Sequence, residues 1–346
     1  MSDFRIDKIT NRDGSAGTQI AGISTFSGTS GMVMPGGSFE YRGGRDRGIH
    51  GGGNTNPAQS NVIDYITIST TGNAADFGNL TEARSQISAC GGYTRGHFNG
   101  GSLSPNPATT RMDYVVFSSK GEASYWGDLT QGRSTYAATS NGKRGLVYGG
   151  TPSNNNLIEY FSMATQGSAS DFGDQIYNQR EQGCLENSTR SVVAGGWGDP
   201  TSPFQGNDGP IRFISYNYFE TLGNTVHFGE LNNLVYGPMG SASETRGLFA
   251  GGWIPTSPNR INTIDYITIA STGDATDFGD ATATMHSGGG TSNKVRGIWS
   301  GGYNPGLLAT IDYVTIATLG NAADFGDLTV ARRGGRMCSD CHGGLQ

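Results

Sequence analysis

One motif, repeated six times, constrains this chain more than any other feature. A hydrophobic–acid–tyrosine triplet at Ile63-Asp64-Tyr65 recurs as Met112-Asp113-Tyr114, Ile158-Glu159-Tyr160, Ile214-Ser215-Tyr216, Ile264-Asp265-Tyr266 and Ile311-Asp312-Tyr313. Successive tyrosines lie 49, 46, 56, 50 and 47 residues apart. Seven residues after each tyrosine comes a glycine: Gly72, Gly121, Gly167, Gly223, Gly273 and Gly320. Five residues further on, an aromatic precedes another glycine: Phe77-Gly78, Trp126-Gly127, Phe172-Gly173, Phe228-Gly229, Phe278-Gly279 and Phe325-Gly326. Upstream of each triplet lie an arginine (Arg47, Arg95, Arg144, Arg190, Arg246, Arg296), a short apolar stretch and a glycine pair. The pairs read as Gly51-Gly52, Gly100-Gly101, Gly149-Gly150, Gly195-Gly196, Gly251-Gly252 and Gly301-Gly302.

The physics of one unit follows from its residues. Arg246 to Gly252 is a short apolar strand that stops at glycines. Ile264 to Ala270 alternates as a half-buried strand does. Thr272-Gly273-Asp274 is a hairpin signal, because glycine supplies the positive φ of a tight turn. Asp277-Phe278-Gly279 opens an outer strand with one large aromatic anchor, and a weaker Ser-rich strand follows, as at Ala83–Gly91. Four strands in a unit of roughly 50 residues, repeated around a ring, predict a β-propeller. No single blade can bury both of its faces, and a closed ring of blades does so.

Composition agrees with an all-β reading. Glycine accounts for 57 of 346 residues, charged residues for 15% and aromatics for 10%. Glycine disfavours helices, and a disordered chain carries more charge and fewer aromatics. Most of the glycines fall at fixed repeat positions. The net charge of −6 argues against a nucleic-acid partner, which calls for a basic stripe. No apolar run approaches the roughly 20 residues of a membrane span, and the opening MSDFRIDKIT lacks the pattern of a signal peptide. Four cysteines are too few for a disulfide scaffold.

The ends predict how the ring closes. The first unit starts at Arg47 with no inner strand before it. Aligning Leu328 with Leu80 places Cys338 on Cys90, inside the inner strand that precedes Arg95. The C-terminal segment is therefore expected to supply the missing inner strand of the first blade. Residues 46–346 form the propeller. Residues 1–45 form an N-terminal arm whose sparse apolar positions (Phe4, Ile6, Ile9, Ile20, Ile23, Phe26) are candidates for attachment.

The order of arginine, apolar strand, glycine pair, tyrosine strand and aromatic resembles the kelch pattern. More closely, IDYVTIATLGNAADFGDLTVAR at residues 311–332 is similar to the repeats of kelch-like proteins of marine bacteriophages, cyanophages above all. The resemblance covers residues 46–346 and rests on six agreeing copies. The blade around Ser215 and His227 departs most, lacking both repeat acids and following the longest insertion. The resemblance implies a non-enzymatic virion structural protein on the particle exterior, in a tail fibre, an appendage or a decoration. The arm would dock on other virion proteins or on sister subunits in a homo-oligomer. The propeller would face a host-surface glycan or protein. A glycan-degrading propeller enzyme and a cellular kelch adaptor are the alternatives.

No catalytic, metal or cofactor site is expected. Cys338-Ser-Asp-Cys341-His342 fits the haem-attachment pattern, but Cys338 holds a repeat position and no export signal or second axial ligand accompanies it. Zinc needs about four ligands, and three cluster here. Asp-Phe-Gly occurs at Asp76, Asp171, Asp277 and Asp324 without the other kinase motifs, so it is structural. The repeated arginine is also read as structural: it should not pair with the triplet acid within one blade, pairing across blades is left open, and a ring of arginines binding anions is the alternative. Binding is expected in the variable loops after the glycine pairs, at residues 102–110, 151–157, 197–210, 253–262 and 303–309. Their candidates are Trp197, Phe204, Trp253 and Tyr303. Variable loops on a rigid scaffold commonly carry recognition, and an arc of aromatics suits the stacking of sugar rings.

Overall fold

The computed structural model describes residues 46–104, 108–134, 137–152, 155–198 and 209–345. The arm positions Phe4, Ile6, Ile9, Ile20, Ile23 and Phe26, and the loop residue Phe204, lie outside them. The chain forms a six-bladed β-propeller. Each blade is an antiparallel sheet of an inner, a second, a third and an outer strand. In the second blade these are Ser88–Gly91, Arg95–Asn99, Arg111–Val116 and Ser124–Asp128. The second strand carries the repeat arginine, the third the triplet and the outer strand the aromatic.

Ring closure follows the expectation. Arg336–Ser339 pairs with Arg47–Gly51 and completes the first blade, with Ile49 opposite Cys338. The same register sets Cys90 opposite His97 in the second blade. One detail is corrected. The glycines that leave the second strand of the first blade are Gly52 and Gly53, with φ of 64° and 113°, matching 64° and 106° at Gly301 and Gly302. Three consecutive glycines make the pair ambiguous in sequence, and backbone conformation places it one residue later than Gly51-Gly52.

The core lies between blades. Each outer-strand aromatic is buried and stands edge-on to its own triplet tyrosine, as Phe77 does to Tyr65 at 6.1 Å between ring centres. Burying such a ring contributes about 1.5–3 kcal/mol. The repeat arginines have structural partners. Arg296 lies 4.6 Å over the Tyr313 ring and donates to the Ile68 carbonyl of the next blade at 2.9 Å. The hairpin glycines also bridge blades: Gly320 N donates to Phe278 O at 3.0 Å. A Cβ on Gly279, at φ 148°, would stand 2.5 Å from the Gly320 carbonyl oxygen. The glycine after each outer aromatic thus lets neighbouring blades approach.

The triplet acids also pair across blades, with an arginine that the repeat reading did not single out. Arg84, Arg133 and Arg332 lie in the linkers that follow the outer strands and are fully buried. Arg84 Nη2 reaches Asp113 at 2.7 Å, Arg332 Nη2 reaches Asp64 at 2.6 Å, and Arg133 pairs with Glu159. The equivalent linker positions hold Gln179, Val235 and Met285. Opposite Gln179 the acid is replaced by Ser215. Opposite Val235 and Met285 the acids Asp265 and Asp312 remain buried, and burial raises both carboxyl pKa values above their ordinary range.

The inner strands line a narrow central channel with a cavity of about 50 Å³. Small residues allow this: a Cβ on Gly289 would lie 2.7 Å from Met337 N. After the last strand the chain turns across the end of the channel. His342 Nδ1 contacts Glu186 at 2.6 Å and Nε2 contacts the Gly91 carbonyl at 2.7 Å. Burial opposes charge on His342, but Glu186 outweighs it and holds the imidazole pKa above its ordinary value. A short helix, Gly343–Leu345, completes the plug. No helix among the described residues is long and apolar enough to cross a membrane.

Candidate binding face at the channel mouth

The propeller has two unlike faces. The lower face carries the inner-to-second turns and the third-to-outer hairpins, together with the C-terminal plug. Asp46, the first described residue, also lies there: Asn293 Nδ2 donates to its carboxylate at 2.6 Å. The upper face carries the loops after the glycine pairs and the linkers from each outer strand to the next inner strand. These segments meet through one repeated contact. The residue eight after each outer aromatic bridges to the residue just after the following glycine pair. The bridges are Ser85 with Ser102, Ser134 with Thr151, Arg180 with Trp197, Tyr236 with Trp253, His286 with Tyr303 and Arg333 with Asn54. Tyr236 and Trp253, for example, exchange backbone hydrogen bonds of 3.0 and 2.8 Å.

One backbone frame therefore presents six equivalent residue pairs, and the sequence makes them unequal. Two adjacent pairs are small and polar, built from Ser85, Ser102, Ser134 and Thr151. The next three form a continuous aromatic arc. Trp197 packs on Tyr236 at 5.4 Å, Tyr236 on Trp253 at 5.1 Å, Tyr236 on His286 at 5.9 Å and His286 on Tyr303 at 5.8 Å. Guanidinium groups close both ends of the arc: Arg180 lies 5.8 Å from the Trp197 ring, and Arg333 and Arg260 lie 4.9 and 5.1 Å from the Tyr303 ring. Such contacts fix the rings at little entropic cost on binding.

Beside the arc, the mouth of the channel opens into a cavity of about 340 Å³. Among the described residues its rim is a chain of left-handed residues that precede five of the inner strands, Gln86, Glu181, Gly237, Ser287 and Gly334, with φ between 52° and 67°. Each bonds to its neighbour: Gln86 N to Gly334 O, Gly334 N to Ser287 O, Ser287 N to Gly237 O and Gly237 N to Glu181 O, at 2.6 to 3.0 Å. Among the described residues the charged side chains lining the cavity are Arg333, Arg336 and Glu181. Burial raises the Glu181 pKa, while Arg336, Arg180 and Arg333 pull it back. Burial also lowers the His286 pKa to about 4, so this imidazole is neutral at pH 7.

Three of the four residues expected to bind are placed by the structure. Trp197 and Trp253 come together, 6.2 Å apart, and Tyr303 joins them through His286. Tyr236 and His286, which complete the arc, come from the linkers and were not anticipated; counting eight residues from Phe228 and Phe278 locates them. The haem-like motif is dispersed. Cys338 packs among Ile49, Phe98 and Val115, Cys341 Sγ faces Asp46 and His342 lies in the channel end. Among the described residues no group of three or more His, Cys, Asp or Glu side chains is close enough to hold a metal.

No protein-family model and no curated protein matches the chain. The class that the fold itself defines is the six-bladed β-propeller, closed by a strand from the C-terminal end.

Proposed function

We propose that the chain is a non-enzymatic structural protein of a bacteriophage particle, tethered through residues 1–45 and presenting its upper face to the host surface. The observation that carries the reading is the opposition of the two faces. The first described residue of the propeller, Asp46, lies on the lower face, and the aromatic arc lies on the upper face. A molecule tethered below is free to bind above. The resemblance of the repeats to kelch-like phage proteins supplies the setting, because fold alone does not give function. Binding is favoured over hydrolysis by the lining of the mouth. Among the described residues it offers one carboxylate, Glu181, whereas glycoside hydrolysis ordinarily employs a pair.

The reading is tested on the particle. Cryo-EM of intact virions is expected to place the propeller on the exterior with its lower face toward the body. Virions carrying Trp197→Ala/Trp253→Ala are expected to adsorb to host cells roughly tenfold more slowly, the scale of one lost aromatic anchor. An upper face buried against the particle, or unchanged adsorption, rejects the reading.

A further inference from the structure

We propose that the channel mouth binds an acidic saccharide, a sugar bearing a carboxylate or a sulfate, with the acid group on Arg333 beside Arg336 and the sugar ring against Tyr236 and His286. The proposal rests on the reading of the upper face as the host-facing surface and specifies what that surface recognises.

Three observations converge on this ligand chemistry. The first is charge. The chain is acidic overall, at −6, yet among the described residues the charged lining of the cavity is Arg333 and Arg336 against one carboxylate, Glu181. Arg333 is exposed at the rim and lies over Tyr303 at 4.9 Å, which aims a planar cation at the opening. Guanidinium groups match carboxylate and sulfate oxygens with paired donors. The second is an unsatisfied acceptor. Gln59 lines the cavity, and its Nε2 reaches Ser85 Oγ at 3.4 Å. Its Oε1 is buried without a hydrogen-bond partner. The Gln59 amide thus has hydrogen-bonding capacity left over at the cavity wall, which a sugar hydroxyl satisfies once the side chain turns toward the opening. Bare phosphate or sulfate at neutral pH supplies few donors, so a ligand satisfying both features carries acid and hydroxyl groups together. The third is the wall. Ser85, Gln86, Ser102 and Asn54 offer amide and hydroxyl groups on one side, and Tyr236 and His286 offer rings on the other. That combination of polar and apolar lining suits a pyranose, whose rim is hydroxylated and whose faces are C–H. The volume of about 340 Å³ sits at the small end of ligand pockets, roughly 300–1,000 Å³, and fits a terminal or short saccharide unit.

Titration calorimetry on the full chain tests the proposal with tetragalacturonate, a sulfated carrageenan tetrasaccharide and neutral cellotetraose. At least one acidic probe is expected to bind, with cellotetraose at least roughly tenfold weaker, the scale of one charged hydrogen bond. The two acidic arms separate carboxylate from sulfate. Arg333→Glu is expected to weaken the acidic probe by at least roughly tenfold at unchanged thermal midpoint, since the side chain is at the rim. Failure of both acidic probes, equal binding of the neutral one, or full affinity in Arg333→Glu overturns the proposal. If cellotetraose binds equally and Trp253→Ala abolishes that binding, the acid preference falls and the host-glycan reading stands. If no probe binds while Trp197→Ala/Trp253→Ala virions still adsorb poorly, the saccharide falls and the host-facing surface stands.

Discussion

Arg332 and Asp64, 268 positions apart in the chain, meet at 2.6 Å inside the closure of the ring. Both are fully buried. The same guanidinium donates to the Val62 carbonyl at 2.9 Å, and Thr329 Oγ1 donates to the other Asp64 oxygen at 2.6 Å. Removing one partner of such a pair leaves a buried charge without its counter-ion. Arg332→Met, which copies the residue at position 285, is expected to cost about 3–5 kcal/mol. Urea unfolding measures it. Arg332→Met/Asp64→Asn should recover much of the loss, and equal stability of the single and double variants would contradict the pairing.

Asp312 is the corresponding acid without an arginine. Its folded pKa is raised, burial first, with Thr282 opposing the shift through hydrogen bonds. The folded state therefore holds its proton to higher pH than the unfolded chain. This contribution to stability falls as pH rises from the ordinary carboxyl range, about 3.9, through the raised folded value. Asp312→Asn removes it. The variant is expected to gain on wild type as pH increases across that window, and a pH-independent difference in thermal midpoint would refute the assignment.

His97 stands where the other blades place Ile49, Leu146, Val192, Leu248 and Ile298, all buried. Its ring packs on Trp126 at 4.6 Å and Phe161 at 5.2 Å. Burial, helped by Arg95, lowers its pKa to about 3. Below about pH 6.5 the unfolded chain takes a proton that the folded chain refuses. Stability then falls by up to about 1.4 kcal/mol per pH unit until the folded pKa is reached. His97→Leu should remove that slope, seen as a smaller drop in thermal midpoint between pH 7 and pH 4.

Two truncations separate closure from plugging. A chain ending at Val330 lacks Arg332 and the final inner strand, and is expected to lose cooperative thermal unfolding. A chain ending at Ser339 keeps the strand and loses His342 and Leu345. It is expected to unfold cooperatively at a lower midpoint. Cooperative unfolding of the shorter chain at an unchanged midpoint would refute the role of the closing strand.

The repeat frame was legible because its signals are local: a hairpin glycine, an alternating strand and one aromatic act within a few residues. The closing strand was legible for the same reason, since Cys338 could be laid on Cys90. The ion pairs were not. Each joins a linker arginine to a strand in the next blade, and three linkers carry Gln179, Val235 or Met285 instead, so the arginine does not read as a repeat residue. The binding face was half legible. Trp197, Trp253 and Tyr303 follow glycine pairs and stand out, whereas Tyr236 and His286 occupy a position that elsewhere holds Ser85, Ser134, Arg180 or Arg333. Only the bridge between neighbouring blades places the two sets side by side.

The pairing of Arg336–Ser339 with Arg47–Gly51 also sets an order of events during synthesis. The first blade waits, missing one strand, while every other blade is made. Its open edge and the unpaired Asp64 persist until the last described strand leaves the ribosome. A chain interrupted before Ser339 has no seam to close, so the six blades become one rigid ring only once that strand has been made.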